Sequence, residues 1–243
     1  MVLTIDDLRA IQSSNGAKNR REVLIRETKR NLSRELVSSL HYEEQALRNG
    51  IVQPLVVTSS QSNDECDVFA MPDEDLLVGD IIDCYSQKWI VTEVIPVNTL
   101  QLRGKMKLCN HLFRFQSFDG EEYERWGVLD PGVYSTTQKT STQLTLMNVQ
   151  YKVFLPYDSM TKTLYVDKRF STGLEYDKNG NQILTVYRIT RIDSVSESWG
   201  SGKLLVVYVK SDTYNPKTDD LVTGICDKID VSTVATDDES GWY

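Results

Sequence analysis

The spacing of apolar residues near the start of the chain predicts two helices. Thr4 can cap a short first helix, because its hydroxyl can accept hydrogen bonds from amides one turn later, and the breakers at 13–16 end it. A second helix is predicted over 20–48, where apolar residues recur on one face at 3.6 residues per turn until Asn49-Gly50 ends it. The residues of this apolar stripe are Ile25, Leu32, Leu36, Leu40 and Leu47.

After Gly50 the pattern changes to short β-branched and aromatic runs separated by turn residues, which predicts strands. Asp119-Gly120 predicts a two-residue hairpin turn, because a type I′ turn needs positive φ at both positions, and Asn179-Gly180 predicts another hairpin turn. A first series of strands is predicted at 53–58, 67–70, 81–85, 88–95, 100–108, 111–118 and 122–128. A second series is predicted at 144–155, 164–170, 183–192 and 204–210.

The two series repeat similar segments in the same order, which favours an internal duplication over chance similarity between alternating strands. The segment 68–73 corresponds to 153–158, and the segment 89–94 corresponds to 187–192. The predicted fold class is therefore mainly β with N-terminal helices and two small barrel-like antiparallel β units. The predicted divisions are a helical N-terminal arm (1–50), a first barrel-like domain (51–130), a second one (131–226) and an acidic C-terminal tail (227–243).

Composition excludes several classes of protein. Apolar residues make up 40% of the 243 residues, with only 13 Gly and 6 Pro, which excludes collagen-like and fully disordered chains. No run approaches the roughly 20 apolar residues of a membrane span, and the first residues lack the order of an export signal, so we expect neither. The four cysteines stand far apart, which favours reduced, buried thiols over a disulfide framework or a zinc site. They are Cys66, Cys84, Cys109 and Cys226.

Charge is unevenly distributed along the chain. The net charge is −8, yet the window 17–36 holds seven basic and three acidic residues (+4), while 227–243 holds five acidic residues and one Lys. Charges of opposite sign at the two ends favour contact between copies or docking on charged partners. The alternative is a solvated helix and a frayed acidic tail without a partner. Terminal aromatic residues outside a core also favour a partner that covers them. The candidate assembly residues are Arg20, Arg21, Arg26, Lys29, Arg30, Arg34, Trp242 and Tyr243.

The sequence contains no catalytic signature. A P-loop, a paired-glycine dinucleotide turn, a GxSxG elbow and an HExxH motif are all missing, and His41 and His111 lack a Ser or Cys neighbour in the sequence. The segment 177–182 begins with calcium-loop spacing, but Gln182 and Arg188 stand where that loop requires Gly and Glu, so a hairpin turn is predicted instead. We therefore expect no enzyme, no catalytic residue, no cofactor and no metal. Contact with nucleic acid is a less favoured alternative, because the chain is acidic overall.

Eight segments occur along the chain in a recognisable order. They are 89–94, Arg103-Gly104-Lys105-Met106, Cys109-Asn110, Arg114-Phe115-Gln116, Glu124-Arg125-Trp126, 155–158, 187–190 and 215–219. Their order resembles that in virion structural proteins of the head and neck region of tailed bacteriophages. The resemblance covers roughly 4–220, and no functional residues carry over. It implies a non-enzymatic head–tail connector, of adaptor or stopper type, in a ring between portal and tail, assembled in the bacterial host cytoplasm. The implied partners are further copies of the chain and neighbouring virion proteins.

Two other classes stay open at this point. One is a different virion component, such as a tail-completion or capsid-decoration protein. The other is a carbohydrate-binding or hydrolase module of a phage tail, which predicts a concave aromatic cluster with paired carboxylates.

Overall fold

The computed structural model describes residue 5 and residues 20–60, 62–98, 100–130, 150–196, 198–199 and 202–229. The first predicted helix, apart from residue 5, and the residues Trp242 and Tyr243 therefore lie outside the described residues. From residue 20 onward, the described elements are one helix, α1 (Arg20–Val37), one short 3₁₀ helix (Thr161–Thr163), and fifteen strands. The strands are β1 (Tyr42–Glu43), β2 (Leu47–Arg48), β3 (Ile51–Val52), β4 (Leu55–Ser59), β5 (Glu65–Ala70), β6 (Ile81–Cys84), β7 (Gln87–Asn98), β8 (Gln101–Leu108), β9 (His111–Gln116), β10 (Glu122–Asp130), β11 (Tyr151–Pro156), β12 (Arg169–Tyr176), β13 (Gln182–Asp193), β14 (Ser198–Trp199) and β15 (Gly202–Asp212).

Helix α1 begins at the predicted residue but ends eleven residues before the predicted end at residue 48. The hydroxyl of Ser38 donates to the carbonyl of Glu35, a local bond that competes with continuation of the helix. The chain then enters the first sheet, where β1 pairs with β4, β2 pairs with β6, and Ala46 is fully buried. The prediction of a helix over 20–48 was therefore wrong beyond Val37, because sheet pairing and burial outweigh the helical spacing.

The first sheet has eight antiparallel strands in the order β1-β4-β5-β8-β7-β6-β2-β3 and curves as an open half-barrel. Several of its side chains are completely removed from solvent, and their burial supplies most of the stabilisation of this unit. Five of them are Leu55, Val68, Ile82, Ile90 and Met106.

The second sheet closes into a six-stranded barrel in the order β11-β10-β9-β12-β13-β15, because β11 also pairs with β15 along six residues. Aromatic side chains fill its interior: the rings of Phe113 and Phe170 meet edge to face with centroids 5.4 Å apart. The predicted fold class, mainly β with two barrel-like units, is confirmed. The internal duplication stays a prediction.

Sheet membership changes at a different place from the predicted boundary at residue 130. Strands β9 and β10, assigned by the sequence to the first unit, lie in the barrel, so the change of sheet falls at Cys109-Asn110. Residues 227–229, placed in the predicted tail, belong to the folded body, because the main-chain NH of Ile229 donates to the Gln116 side chain; 230–243 lie outside the described residues. Hairpins form at Asp119-Gly120 and Asn179-Gly180, as predicted. The predicted two-residue turn with positive φ at both positions was wrong, however: each turn is a three-residue loop in which the glycine alone has a positive φ, because a residue with a Cβ avoids that conformation.

The half-barrel and the barrel share one hydrophobic core along a seam. The outer faces of β10, β11 and β15 contribute Val128, Phe154, Leu204 and Val206 to the cluster that fills the half-barrel. Backbone meets backbone at the rim of this seam: a Cβ on Gly79 would collide with the carbonyl oxygen of Lys203. A glycine is therefore required there, because any side chain would push the two sheets apart.

We expect the Gly79→Ala substitution to lower the free energy of unfolding by about 2 to 4 kcal/mol, since it combines a strained left-handed φ of +90° with overpacking of the seam. Gly180→Ala is the matched control, because Gly180 has a similar φ of +81° but a Cβ added there would meet no atom within 4 Å. The control should lose only about 1 kcal/mol in chemical denaturation. Equal losses in the two variants would contradict the close approach at the seam.

Candidate functional site

The predicted basic residues of helix α1 divide between two faces. Arg20, Arg21, Arg26, Arg30 and Arg34 are exposed. Lys29 lies on the sheltered face, where its ammonium group pairs with the carboxylate of Asp73 from the loop that follows β5. The structure therefore keeps five of the six predicted basic residues at the surface and uses the sixth to hold the helix against the first sheet.

The apolar stripe of α1 is only partly covered. Ile25 and Leu32 are half-buried and Leu36 is buried, which agrees with the spacing in the sequence. Outside this buried part, Val37 is 51% exposed, and Leu40, just beyond the helix, is fully exposed. The helix thus presents basic and apolar groups together to solvent.

A second surface, which the sequence did not reveal, lies at one end of the barrel. The ring of Phe118, in the β9–β10 turn, stacks on the ring of Tyr165, in the loop before β12, with centroids 4.7 Å apart and an interplanar angle of 18°. Phe118 is 66% exposed and Tyr165 is 41% exposed, and Val166 beside them is also exposed. We call Phe118, Tyr165 and Val166 the aromatic platform.

Three exposed carboxylates lie on the turn and the loop that carry the aromatic platform. Asp119 and Glu121 belong to the same turn as Phe118, and Asp167 follows Val166. We call these three residues the acidic rim. Glu121 accepts a hydrogen bond from the hydroxyl of Tyr123, which orients it on the barrel end.

The segment 213–229 packs over the barrel and supports the platform from behind. The Gln116 side chain, two residues before Phe118, exchanges two hydrogen bonds with the main chain of Ile229. The Lys168 ammonium lies 5.7 Å from the centroid of the Tyr165 ring. Burial lowers the pKa of Lys168, and the nearby Asp227 carboxylate opposes this effect.

Arg169 joins the platform loop to the segment 213–229. Its guanidinium donates bidentate bonds of 2.9 and 2.8 Å to Asp219, a further bond of 2.7 Å to Asp227 and one of 3.2 Å to Asp212. Burial acts to lower the pKa of Arg169, but hydrogen bonds from its NH groups to Asp219 and Asp227 raise that pKa above its usual range. The network links residues far apart in the sequence, so no local pattern could have revealed it.

A cleft of about 500 Å³ opens at the seam between the two sheets. It brings Trp126 and Tyr157 together with the carboxylates Glu124 and Asp158, the combination that the carbohydrate alternative predicts. Each carboxylate is engaged by a guanidinium, however: Arg114 donates to Glu124 and Arg125 donates to Asp158, both at 2.7 Å. Carboxylates already engaged by guanidinium groups in this way suit a structural role better than proton transfer.

Three buried cysteines and His111 also lie in surroundings that do not favour catalysis. Burial raises the pKa of the Cys84, Cys109 and Cys226 thiols to about 12, which disfavours the nucleophilic thiolate. Burial lowers the pKa of His111, whose Nδ1 lies 2.8 Å from the side-chain oxygen of Asn110.

A metal site requires several ligand side chains close together, and a membrane-spanning helix requires a long apolar segment. Nowhere in the ranges given above do three or more His, Cys, Asp or Glu side chains come together in a group that could hold a metal ion. Within the same ranges, no helix has the length and apolarity that a membrane crossing requires.

Comparison with known proteins does not assign the chain to a family. The chain matches no protein-family profile and no curated protein. A solved structure of MrkH, described as a novel c-di-GMP-dependent transcription regulatory factor, overlaps 80% of this chain and 85% of its own, with 10% identity and a TM-score of 0.23. The K. pneumonia MrkH–c-di-GMP complex overlaps 80% of this chain and 88% of its own, with 10% identity and a TM-score of 0.24. Similarity at this level supports no conclusion about fold or function.

We expect Arg169→Met to lower the free energy of unfolding by about 3 to 5 kcal/mol, because it leaves the fully buried Asp219 carboxylate without its main counter-charge. Arg188→Met is the control, since this side chain is partly exposed and its ion pair within the described residues is with Asp212. The control should lose at most about 1 kcal/mol in urea denaturation. A small loss for Arg169→Met would contradict the anchoring role of this network.

Proposed function

We propose that the chain is a non-enzymatic structural subunit of a tailed-phage particle, most specifically a head–tail connector that forms a ring between portal and tail. The observation that carries the proposal is the exposed, basic and partly apolar helix α1. The sequence resemblance to head and neck proteins supports the choice of particle. On this proposal the protein resides in the virion after assembly in the cytoplasm of the bacterial host.

The exposure of α1 supports a role in assembly because such a helix gains little from its own fold. At 1.5 Å per residue, 18 residues extend about 27 Å, yet Leu36 is the one buried side chain among them. Most of the stability of a helix in a protein comes from the packing of its apolar face. A protein partner that covers Val37 and Leu40 supplies that packing.

The charge of α1 favours a protein partner over nucleic acid. Of its basic residues, Lys29 is already paired with Asp73. The chain outside 17–36 carries a net charge of −12, which would repel a phosphate backbone approaching the body of the protein. Portal and tail proteins, and further copies of this chain, are the partners that the proposal names.

The seam cleft favours a second candidate, a carbohydrate-binding module. The Trp126 ring lines the cleft and is 38% exposed, so it offers a face on which a sugar ring can stack. Titration with cell-wall oligosaccharides of the host tests this candidate: saturable binding that Trp126→Ala abolishes supports it, and no binding excludes it. A tail-completion or capsid-decoration protein would differ from a connector in its number of copies per particle.

We expect removal of residues 1–37 to leave a folded β protein that no longer assembles. The truncation stops before β1, because a cut at Gly50 would also remove two strands and the buried Ala46. Loss of the Leu36 contact should cost about 2 kcal/mol of the free energy of unfolding. Far-UV circular dichroism checks the fold, and native mass spectrometry of the full-length and truncated proteins checks the assembly.

Two results would contradict the proposal. One is unchanged assembly of the truncated protein. The other is a combination of two findings. The full-length protein stays monomeric at all concentrations, and mass spectrometry does not detect it in purified phage particles.

A further inference from the structure

We propose that the aromatic platform of one copy receives helix α1 of a neighbouring copy, so that subunits join head to tail. This inference rests on the proposed function and names the contact between subunits that the function requires. In this contact, the aromatic platform and acidic rim of one copy meet the face of α1 on the next copy. That exposed face carries Arg30, Arg34 and Val37.

The aromatic platform has the properties of an interface centre. Two large rings are held in a fixed stack by the turn of Phe118 and by the loop of Tyr165, which Arg169 and Gln116 brace from behind. A rigid pair of aromatic rings loses little conformational entropy on binding, and aromatic residues are enriched among those that dominate interface energies. Exposed aromatic clusters of this kind mark interaction sites.

The charges of the two surfaces are complementary. Arg30, Arg34 and Val37 are spaced by four and three residues, so they share one face of α1. Within the described ranges neither Arg30 nor Arg34 forms an ion pair, and both are exposed. The acidic rim supplies three exposed carboxylates on the same turn and loop that carry Phe118 and Tyr165. Val37 can therefore cover the rings while the guanidinium groups meet the rim or stack on the ring faces.

The helix that binds the platform comes from a second copy, because the helix of the same copy is attached to the first sheet. The Lys29–Asp73 ion pair ties α1 to the first sheet, and α1 continues directly into that sheet at β1. The platform belongs to the barrel. Two different surfaces on one subunit make a heterologous contact, and repetition of such a contact produces a ring when the rotation closes.

The first experiment measures the native mass of the full chain and its variants over a concentration series. Phe118→Ala with Tyr165→Ala should raise the dissociation constant of self-association about tenfold or more, equivalent to about 1.4 kcal/mol. Tyr176→Ala is the matched control: this residue is 69% exposed and lies at the other end of β12, roughly 20 Å away along the strand. The control should assemble as the unmodified chain does.

The second experiment mixes two variants that should each be monomeric. One carries Arg30→Glu with Arg34→Glu and keeps its platform, while the other carries Phe118→Ala with Tyr165→Ala and keeps its helix. The platform of the first then accepts the helix of the second, and the mixture should give a one-to-one dimer that cannot grow. A contact within one chain would give no dimer, which would overturn the inference.

The outcomes also separate this inference from the proposed function. If the platform variant assembles as well as the full-length protein does, the head-to-tail contact is overturned and the proposed structural role is unaffected. Full-length protein that never associates overturns both. Circular dichroism of each variant shows that loss of assembly is not loss of the fold.

Discussion

The seam between the half-barrel and the barrel is the constraint on which the rest of the structure depends. Strands β10, β11 and β15 are apolar on both faces: Leu205 and Val207 point into the barrel, while Leu204 and Val206 fill the half-barrel. One set of strands thus serves two cores: their inner faces line the closed barrel, and their outer faces cover the core of the open half-barrel. The close backbone approach at Gly79 follows from this shared burial.

The common core also determines how the two proposed assembly surfaces are oriented relative to each other. Helix α1 is attached to the first sheet and the aromatic platform to the barrel, and the seam holds these sheets together. When two docking surfaces sit on parts that share a core, the rotation between successive subunits is set by the fold. A subunit that builds a closed ring needs this property, because a variable angle would give open chains.

Local chemistry explains what the sequence could predict. Helix α1 covers the apolar spacing from Ile25 to Leu36, and the hairpins form at Asp119-Gly120 and Asn179-Gly180, because periodicity and turn preference act over a few residues. Sheet membership and the platform depend on contacts between distant residues: β9 and β10 look like any alternating strands, and Phe118 and Tyr165 meet only after folding. The run Leu204 to Val207 did contain a usable signal, since continuous apolar residues indicate a strand buried on both faces.

The acidic character of the C-terminal part takes a different interpretation once its contacts are known. The Asp219 carboxylate is neutralised inside the fold by Arg169, the partly exposed Asp227 pairs with the same guanidinium, and Asp220 pairs with Lys228. The Asp219 carboxylate therefore cannot serve in docking without unfolding of the segment that carries it. On the proposed head-to-tail contact, the counterpart of the basic helix is the acidic rim on the folded body.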